Sequence, residues 1–248
     1  MHDVEGLYHA RRRRMGRDVT QDDDKRLAAE AAVTEVQDGM LVGLGTGSTA
    51  KHAIDAVGAR VATGLRVRAV ATSVASARQA EALGIELLDM ADVAAVDLTI
   101  DGADEIDAAL VAIKGAGGAM LHEKVVATAS ARMIVIADGS KRVERLGAAP
   151  VPVEVVPFAR EAVTRAVRAL GARPVLRQAD GRPYFTDQNN LILDCGFTPL
   201  RDPRALATSL QSIPGLVAHG LFLDEVDAAY IASNGIVTKL ERTQDQQP

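Results

Sequence analysis

Short apolar segments alternate with helix-like segments over residues 20–137. The helix-like segments begin at polar residues and repeat their apolar side chains every three or four positions, which predicts helices at 20–35, 49–61, 73–83 and 120–131. The apolar runs predict strands at 40–42, 67–71, 85–88, 96–100 and 133–137. Strands that alternate with helices indicate an α/β fold, with a Rossmann-like, mostly parallel sheet covered on both faces.

The pattern changes after the break at 147–150. The following segments predict a strand, a helix, two strands, a helix and a strand, at 151–156, 159–170, 174–178, 191–194, 203–213 and 216–222. This β-α-β-β-α-β order is typical of a smaller ferredoxin-like α+β domain, which we place at 150–225.

The last apolar runs, at 230–232 and 236–240, are expected to return to the first sheet. The Rossmann-like domain would then combine 20–149 with 226–248. Residues 1–19 carry four consecutive arginines, Arg11 to Arg14, and little apolar periodicity, so we expect them to form a disordered extension.

Composition limits the classes of partner. The chain has 248 residues, a formal charge of −5 and no tryptophan, which argues against general nucleic-acid binding. No apolar run approaches the roughly 20 residues that span a bilayer, so no membrane partner is expected. The single cysteine, Cys195, cannot form an internal disulfide and is expected to be a small buried side chain in a cytoplasmic protein.

A glycine-rich turn, Gly43 to Thr49, lies between a predicted strand and a predicted helix. Its backbone N–H groups and hydroxyls favour an anion at the positive end of the helix, and the candidate residues are Thr46, Gly47, Ser48 and Thr49. A dinucleotide fingerprint would need glycine at position 48 and an acid where Thr72 and Ser73 stand. A nucleoside-triphosphate loop would need glycine, not Ala50, before Lys51.

Four acids follow the predicted strand at 96–100, within the segment 101–107. Open α/β sheets bind ligands at the carboxyl ends of their strands, and crowded carboxylates suit proton chemistry or hydroxyl recognition. The candidates are Asp101, Gly102, Ala103 and Asp104. A divalent metal site is the alternative interpretation, because hard cations prefer oxygen ligands. Glu105 and Asp107 are expected to be solvated turn or cap residues.

A third motif joins a cation to a glycine-rich turn and a carboxylate, in the segment 114–124. Lys114, Gly115, Ala116 and Gly117 could stabilise an oxyanion beside a base at Glu123. We expect His122 to be solvated or locally bonded, and Lys124 to be a surface neighbour.

A fourth motif, Asp138-Gly139-Ser140-Lys141, follows the predicted strand at 133–137. Its lysine, Lys141, would reach an anion from the same edge of the sheet as the other motifs.

The four motifs in this order resemble the A-type ribose-5-phosphate isomerase family over about 20–240. The segments that carry the resemblance are TGST at 46–49, DGADEID at 101–107, KGAGGAMLHEK at 114–124 and DGSK at 138–141, supported by PVEVVPFA at 152–159. The resemblance implies an aldose-ketose isomerase of the pentose phosphate pathway that works through an enediolate without a cofactor. It also implies a sugar-phosphate substrate and a homodimer or homotetramer. Many relatives have glycine where Ala116 stands and alanine where Gly118 stands.

Residue roles carried over from the family give a mechanistic hypothesis. Glu123 is the proton-transferring base, Lys114 and the glycine turn stabilise charge on the oxygen, and Asp101 assists ring opening. The phosphate is held by the residues Ser48, Thr49, Lys141 and Lys25.

Two rival functions share a similar fold. A sugar-phosphate sensor would need a DNA-binding module of about 50 residues, whereas 19 precede the predicted fold here, and Glu123 with Asp101 favours turnover over sensing. A CoA-transferase-like enzyme can also use a catalytic glutamate, and acyl-CoA binding would distinguish it.

Overall fold

The computed structural model describes residues 19–197 and 200–242. Its largest element is a seven-stranded sheet with the order β16-β15-β7-β4-β1-β2-β3, parallel except for the edge strand β16. The strands are β1 (Leu41–Leu44), β2 (Arg68–Ala71), β3 (Glu86–Leu87), β4 (Leu98–Gly102), β7 (Met133–Asp138), β15 (Ala228–Ser233) and β16 (Ile236–Glu241). The α/β fold class and the mostly parallel sheet predicted from the sequence are thus confirmed.

Four helices accompany this sheet: α1 (Gln21–Val33), α2 (Ser48–Ala62), α3 (Val74–Ala82) and α4 (Met120–Thr128). Alternate strand residues point to opposite faces, so Val42 and Ile100 pack with α1 and α2 while Leu41 and Val70 pack with α4. Both faces of the sheet are therefore covered, which is why its central strands β1, β4 and β7 are mostly apolar and buried. Within the described ranges no helix is long and apolar enough to cross a membrane.

The second sheet is antiparallel, with the order β13-β8-β12-β9. Its strands and the helices between them are β8 (Val151–Val155), α5 (Arg160–Ala169), β9 (Arg173–Leu176), β12 (Leu191–Gly196), α6 (Pro203–Gln211) and β13 (Leu216–His219). Apolar residues of both helices form one core with the sheet, and the buried Cys195 belongs to it. The order confirms the ferredoxin-like arrangement, whereas the exact domain boundaries stay a prediction.

The predicted strand at 216–222 is divided in the structure. It breaks at Gly220 into β13 and β14 (Leu221–Phe222), and β14 joins β5 (Glu105–Ile106) and β6 (Ala112–Ile113) in a third, three-stranded sheet. The backbone N–H of Gly220 donates to Pro152 O at 2.8 Å, and Lys114 N–H donates to Gly220 O at 2.8 Å. Gly220 is therefore hydrogen-bonded both to β8 and to Lys114, which is the first residue of the third motif. A two-stranded hairpin, β10 (Gln178–Ala179) with β11 (Arg182–Pro183), was also not predicted.

The first residues lie beyond what the structure describes. The extension predicted to be disordered comprises residues 1–19, and all of it except residue 19 lies outside the described ranges. Helix α1 begins with a capping box. Thr20 Oγ1 accepts a hydrogen bond from Asp23 N–H, and the Asp23 carboxylate accepts one from Thr20 N–H.

Candidate active site

The predicted motifs meet in one cavity at the carboxyl ends of β1 and β4. In the sheet, β1 has β2 as its neighbour on one side, and β4 has β7 as its neighbour on the other side. The cavity therefore lies where the direction of the strand order reverses. Its volume is about 280 Å³. It is lined by Thr46, Gly47, Ser48, Thr49, Gly102, Ala103, Asp104, Lys114, Gly115, Ala116, Gly117, Glu123 and Lys141. Two predicted site residues, Asp101 and Lys25, lie next to the cavity without lining it.

One end of the cavity is the start of α2. The preceding residue, Gly47, has φ +112°, a conformation that favours glycine, and no side chain caps the helix. The N–H groups in the first turn of α2 are therefore uncapped and face this end of the cavity. The positive end of the helix dipole lies at the same place. Beside them Lys25 Nζ donates to Ser48 Oγ at 3.1 Å. This end carries the positive charge and donors that an anionic group needs.

The glycine-rich turn is held by neighbouring strands. Thr46 N–H donates to Asp101 Oδ1 at 3.0 Å, and the hydroxyls of Thr46 and Thr72 lie 2.7 Å apart. Thr72 follows β2, where a dinucleotide-binding enzyme would carry its acid, and here it secures the turn instead.

Three charged side chains are clustered at the cavity, where the Lys114 ammonium contacts two carboxylates. Lys114 Nζ lies 2.9 Å from Asp101 Oδ2 and 3.3 Å from Glu123 Oε2, and it also donates to Gly102 O. Their side chains are 2%, 0% and 2% exposed respectively, so water screens these charges little. Two carboxylates and one ammonium give the cluster a net negative charge when all three are ionised.

Burial changes the proton affinity of Glu123. It raises the pKa of the Glu123 carboxyl to about 8, and the nearby Asp101 charge adds to this rise while the Lys114 ammonium opposes it. For Lys114, burial lowers the pKa, but the Asp101 and Glu123 carboxylates outweigh it and the net shift is upward. Lys114 therefore stays cationic, and Glu123 can both accept and release a proton near neutral pH.

Two further charged residues line the cavity. Asp104 Oδ2 accepts from Ala116 N–H at 2.9 Å, and burial raises the pKa of the Asp104 carboxyl. Lys141 ends a single helical turn whose start is capped by Asp138, because Asp138 Oδ1 accepts from Ser140 N–H at 3.0 Å. The DGSK motif thus places a lysine at the cavity by a capped turn.

The acids of segment 101–107 have separate structural roles. Glu105 was expected to be solvated, and this was wrong: it is 4% exposed and accepts from the N–H groups of Gly147 and Ala149. It therefore fixes the connection to the second sheet. Asp107 accepts from Ala109 and Val111 N–H, as expected of a turn residue. The four acids do not converge, and among the described residues no group of three His, Cys, Asp or Glu could hold a metal ion.

Lys124 is not the surface neighbour that the sequence suggested. Its Nζ donates to Leu221 O, lies 3.0 Å from Glu225 Oε1 and sits 3.9 Å from the centre of the Phe222 ring. Its side chain is only 21% exposed because β14 and its flanking loop cover it. No sequence motif marks that loop, so the contact could not be predicted.

His122 has the local bond expected of it. Its Nδ1 lies 3.3 Å from Gln188 Nε2, and the residue is partly buried and absent from the cavity wall. A role as the base is therefore not supported by its position.

Arg177 was missed by the sequence analysis. Its guanidinium donates to the carbonyl oxygens of Gly115 and Ala116, in the glycine turn that lines the cavity. It stands between two short strands of the second part of the chain, 62 residues from Gly115, and nothing in its local sequence distinguishes it from a surface arginine.

The order of residues in the turn 115–118 suits its backbone. Gly118 has φ +82°, and a Cβ atom there would lie 2.3 Å from Tyr184 Oη. Ala116 is not among the residues with positive φ. Alanine at 116 and glycine at 118 are thus each accommodated by the backbone of the turn.

Comparisons with known proteins agree with this geometry. The family model for ribose 5-phosphate isomerase A (phosphoriboisomerase A) matches residues 68–235. The chain is 53% identical to ribose-5-phosphate isomerase A of Sphingopyxis alaskensis over 214 residues, which covers 86% of this chain and 94% of that protein. It is 50% identical to the Gloeobacter violaceus protein of the same name, over 85% of this chain and 93% of that one.

Solved structures are similar over nearly the whole fold. Ribose 5 phosphate isomerase A from Neisseria gonorrhoeae superposes with a TM-score of 0.86 at 37% identity, covering 92% of this chain and all of that one. A D-ribose-5-phosphate isomerase in complex with phospho-erythronic acid gives a TM-score of 0.87 at 34% identity, covering 90% of this chain and all of that one.

Proposed function

The chain belongs to the ribose-5-phosphate isomerase A family, and we propose from that premise that its cavity interconverts D-ribose 5-phosphate and D-ribulose 5-phosphate. It is an aldose-ketose isomerase, and the alternatives of a sensor or a CoA-transferase-like enzyme are not favoured. The observation that carries the chemistry is the buried Glu123 carboxylate beside the Lys114 ammonium, in a cavity that the α2 N-terminus also lines. A base and a cation are what proton transfer next to a carbonyl requires.

We assign the base to Glu123. It removes the proton from C2 of the open-chain aldose, the C–H electrons form a C1–C2 double bond, and negative charge moves to the carbonyl oxygen O1. A proton passes from the O2 hydroxyl to O1, and Glu123 returns its proton to C1 while C2 becomes the carbonyl carbon. The atoms balance without any added oxidant or reductant, since the same carboxyl takes and returns the proton.

Lys114 and its neighbours stabilise the enediolate. Lys114 lines the cavity, and its Nζ is held by Asp101 Oδ2 and Gly102 O, so its position does not depend on substrate. Such preorganised charge lowers the barrier because it needs no rearrangement during the reaction. Asp101 is proposed to assist ring opening and proton transfer between the oxygens. Its contact with the cavity passes through Lys114, and direct contact with substrate stays a prediction.

The phosphate is proposed to bind at the N-terminus of α2. Ser48, Thr49 and the first turn of α2 supply neutral donors, and Lys141 and Lys25 supply charge. The phosphate takes no part in bond making, but its binding energy positions the reacting carbons against Glu123.

The direct test is to incubate the purified full chain with ribose 5-phosphate. The quantity measured is the formation of the ketose, ribulose 5-phosphate. Turnover would support the proposed reaction. Binding of ribose 5-phosphate without turnover would favour the sensor, and calorimetric binding of acyl-CoA in place of the sugar phosphate would favour the transferase.

We expect Lys141→Ala to raise KM for ribose 5-phosphate by about 10- to 100-fold and to change kcat much less. The reason is that a hydrogen bond to a charged group is worth about 1.5–3 kcal/mol, and the phosphate is remote from the reacting carbons. Steady-state kinetics checks this, with Lys51→Ala as a control because Lys51 is exposed on α2 and does not line the cavity. An unchanged KM for Lys141→Ala would exclude it from the phosphate site.

The pH profile should report the Glu123 carboxyl. Because the base must be ionised, kcat/KM is expected to rise with pH through the raised pKa of Glu123, placing the acid limb well above the ordinary value of 4.5 and towards 8. Lys114, whose pKa is raised, should remain cationic and cause no loss in this range. An acid limb at 4.5 or below, measured over pH 4–9, would contradict a base in this buried position.

Assembly and location remain proposals. The family resemblance supports a homodimer or homotetramer in the cytoplasm, with a small sugar phosphate as the ligand and neither nucleic acid nor membrane as a partner. Light scattering of the purified protein would give the oligomeric state.

A further inference from the structure

Arg177 links the second sheet to the glycine turn of the cavity. It follows β9, and its side chain is 15% exposed. Its Nε and Nη2 donate to the two oxygens of Asp194 on β12, at 2.9 and 2.5 Å. Its Nη1 donates to Gly115 O at 2.9 Å and to Ala116 O at 3.0 Å. Four hydrogen bonds thus fix the guanidinium between the partly buried Asp194 carboxylate and the turn.

These contacts set the orientation of two peptide units. A trans peptide is planar, and its C=O and N–H groups point in opposite directions. Because the Gly115 carbonyl faces Arg177, the N–H of Ala116 points away from it, and this N–H donates to Asp104 Oδ2 at 2.9 Å. Because the Ala116 carbonyl also faces Arg177, the N–H of Gly117 points away in the same manner.

The Gly117 N–H is positioned to serve the substrate. Gly117 lines the cavity, and its N–H has no hydrogen-bond acceptor within residues 19–197 and 200–242. Lys114 and Glu123 line the same cavity, and charge is proposed to develop there on the sugar oxygens. A fixed backbone donor at such a place is the arrangement of an oxyanion hole.

We propose that Arg177 is a positioning residue that holds the 115–117 turn so that the Gly117 N–H, with Lys114, stabilises the enediolate. This deepens the proposed function and rests on it. Arg177 acts through the turn and touches no reacting atom. Its planar fork reaches Asp194 and both carbonyls at once, which the single ammonium of a lysine cannot do with the same geometry.

In this proposal the four-stranded antiparallel sheet contributes to catalysis. Asp194 and Arg177 both belong to the ferredoxin-like part of the chain, whereas the turn they hold follows β6 and precedes α4. A movement of the ferredoxin-like part relative to the turn would therefore displace the N–H groups that are proposed to stabilise the oxyanion.

The test compares Arg177→Gln, Arg177→Lys and Asp194→Asn with Arg182→Gln as the matched control. Arg182 is an exposed arginine on β11 of the same region and does not line the cavity. For Arg177→Gln we expect kcat to fall by roughly 10²-fold, the cost typical of a lost oxyanion donor, with KM changed less than threefold. Arg177→Lys and Asp194→Asn should lie between this variant and the unaltered protein.

Inhibitor binding separates positioning from a general structural role. The carboxylate of phospho-erythronic acid can stand for the enediolate oxygens, so its affinity should fall with kcat/KM in the variants, while competition by inorganic phosphate stays unchanged. A kcat for Arg177→Gln within threefold of the unaltered protein would overturn the proposal. So would equal losses of affinity for phospho-erythronic acid and for phosphate, because they would indicate a collapsed cavity.

Two controls keep the outcomes distinct. If Arg177→Gln is unfolded by circular dichroism, Arg177→Lys, which keeps the charge and the stem, decides. A fall in its kcat of more than threefold with unchanged competition by inorganic phosphate supports the proposal, and a smaller fall overturns it. If the unaltered protein and Arg182→Gln turn over ribose 5-phosphate, the proposed function stands whatever Arg177 does. If neither does, the proposed function fails and the positioning role fails with it.

Discussion

Replacement of Glu123 by glutamine is expected to lower kcat by about 10²- to 10⁴-fold and to leave KM for ribose 5-phosphate within a few fold. The substitution keeps the size and shape of the side chain and removes only its ability to take the C2 proton. Glu123 is 2% exposed and 3.3 Å from Lys114 Nζ, so its carboxyl is held beside the cation that is proposed to stabilise the enediolate. Steady-state kinetics and exchange of the C2 proton with deuterated solvent would both report the loss.

The control for Glu123→Gln is Glu225→Gln. Glu225 is a partly buried glutamate whose carboxylate pairs with Lys124 at 3.0 Å, on a loop outside the cavity wall. This variant should keep kcat near that of the unaltered protein. If Glu123→Gln retained more than a tenth of the activity and still exchanged the C2 proton, the base would have to be another residue.

The amino-acid sequence predicts the main sheet well because its signals are local. Apolar runs ending in glycine or aspartate, followed by helical spacing, place β1, β4 and β7 within a few residues of their observed bounds. Chemistry-bearing residues follow these strands directly, so the sheet alone brings Ser48, Asp101 and Lys141 to one edge. The strand at 96–100 is observed at Leu98–Gly102, and Asp101 therefore sits in the ladder rather than after it.

Contacts between distant segments could not be predicted in the same way. The strands β5, β6 and β14 have two residues each, which is too short to show any alternation, yet they position Lys114 and cover Lys124. The bond from Arg177 to Gly115 spans 62 residues and joins two sheets. Neither apolar periodicity nor motif spacing contains information on such pairs. The sequence therefore predicts candidates for the reacting groups, but not the groups that hold them in place.

Lys114→Met is expected to affect both activity and stability strongly. It removes the cation that contacts both Asp101 and Glu123, and it leaves two buried carboxylates with no ammonium between them. Loss of the electrostatic stabiliser should lower kcat by roughly 10²- to 10³-fold. Breaking a buried ion pair from one side costs about 3–5 kcal/mol, which for a chain of this size lowers Tm by roughly 6–20 °C.

The matched control is Lys239→Met, which removes a lysine whose side chain is 40% exposed and pairs with Glu35 and Glu241 on the surface. Solvent screens that pair, so its loss should cost at most about 1 kcal/mol and leave kcat unchanged. Equal destabilisation by the two substitutions would show that the buried cluster does not depend on Lys114 for its charge balance.

The stability deficit of Lys114→Met should also depend on pH. Lys114 opposes the rise in the pKa of Glu123, so its removal raises that pKa further above the ordinary value of 4.5. A carboxyl with a raised pKa in the folded state binds its proton more tightly there than in the unfolded chain, so folding is favoured at low pH and stability is lost as pH rises through the folded pKa. Urea unfolding should therefore show a smaller deficit at pH 4.5 than at pH 8. A deficit that grows towards acid pH would mean that the carboxylates are stabilised in their ionised form by groups other than Lys114.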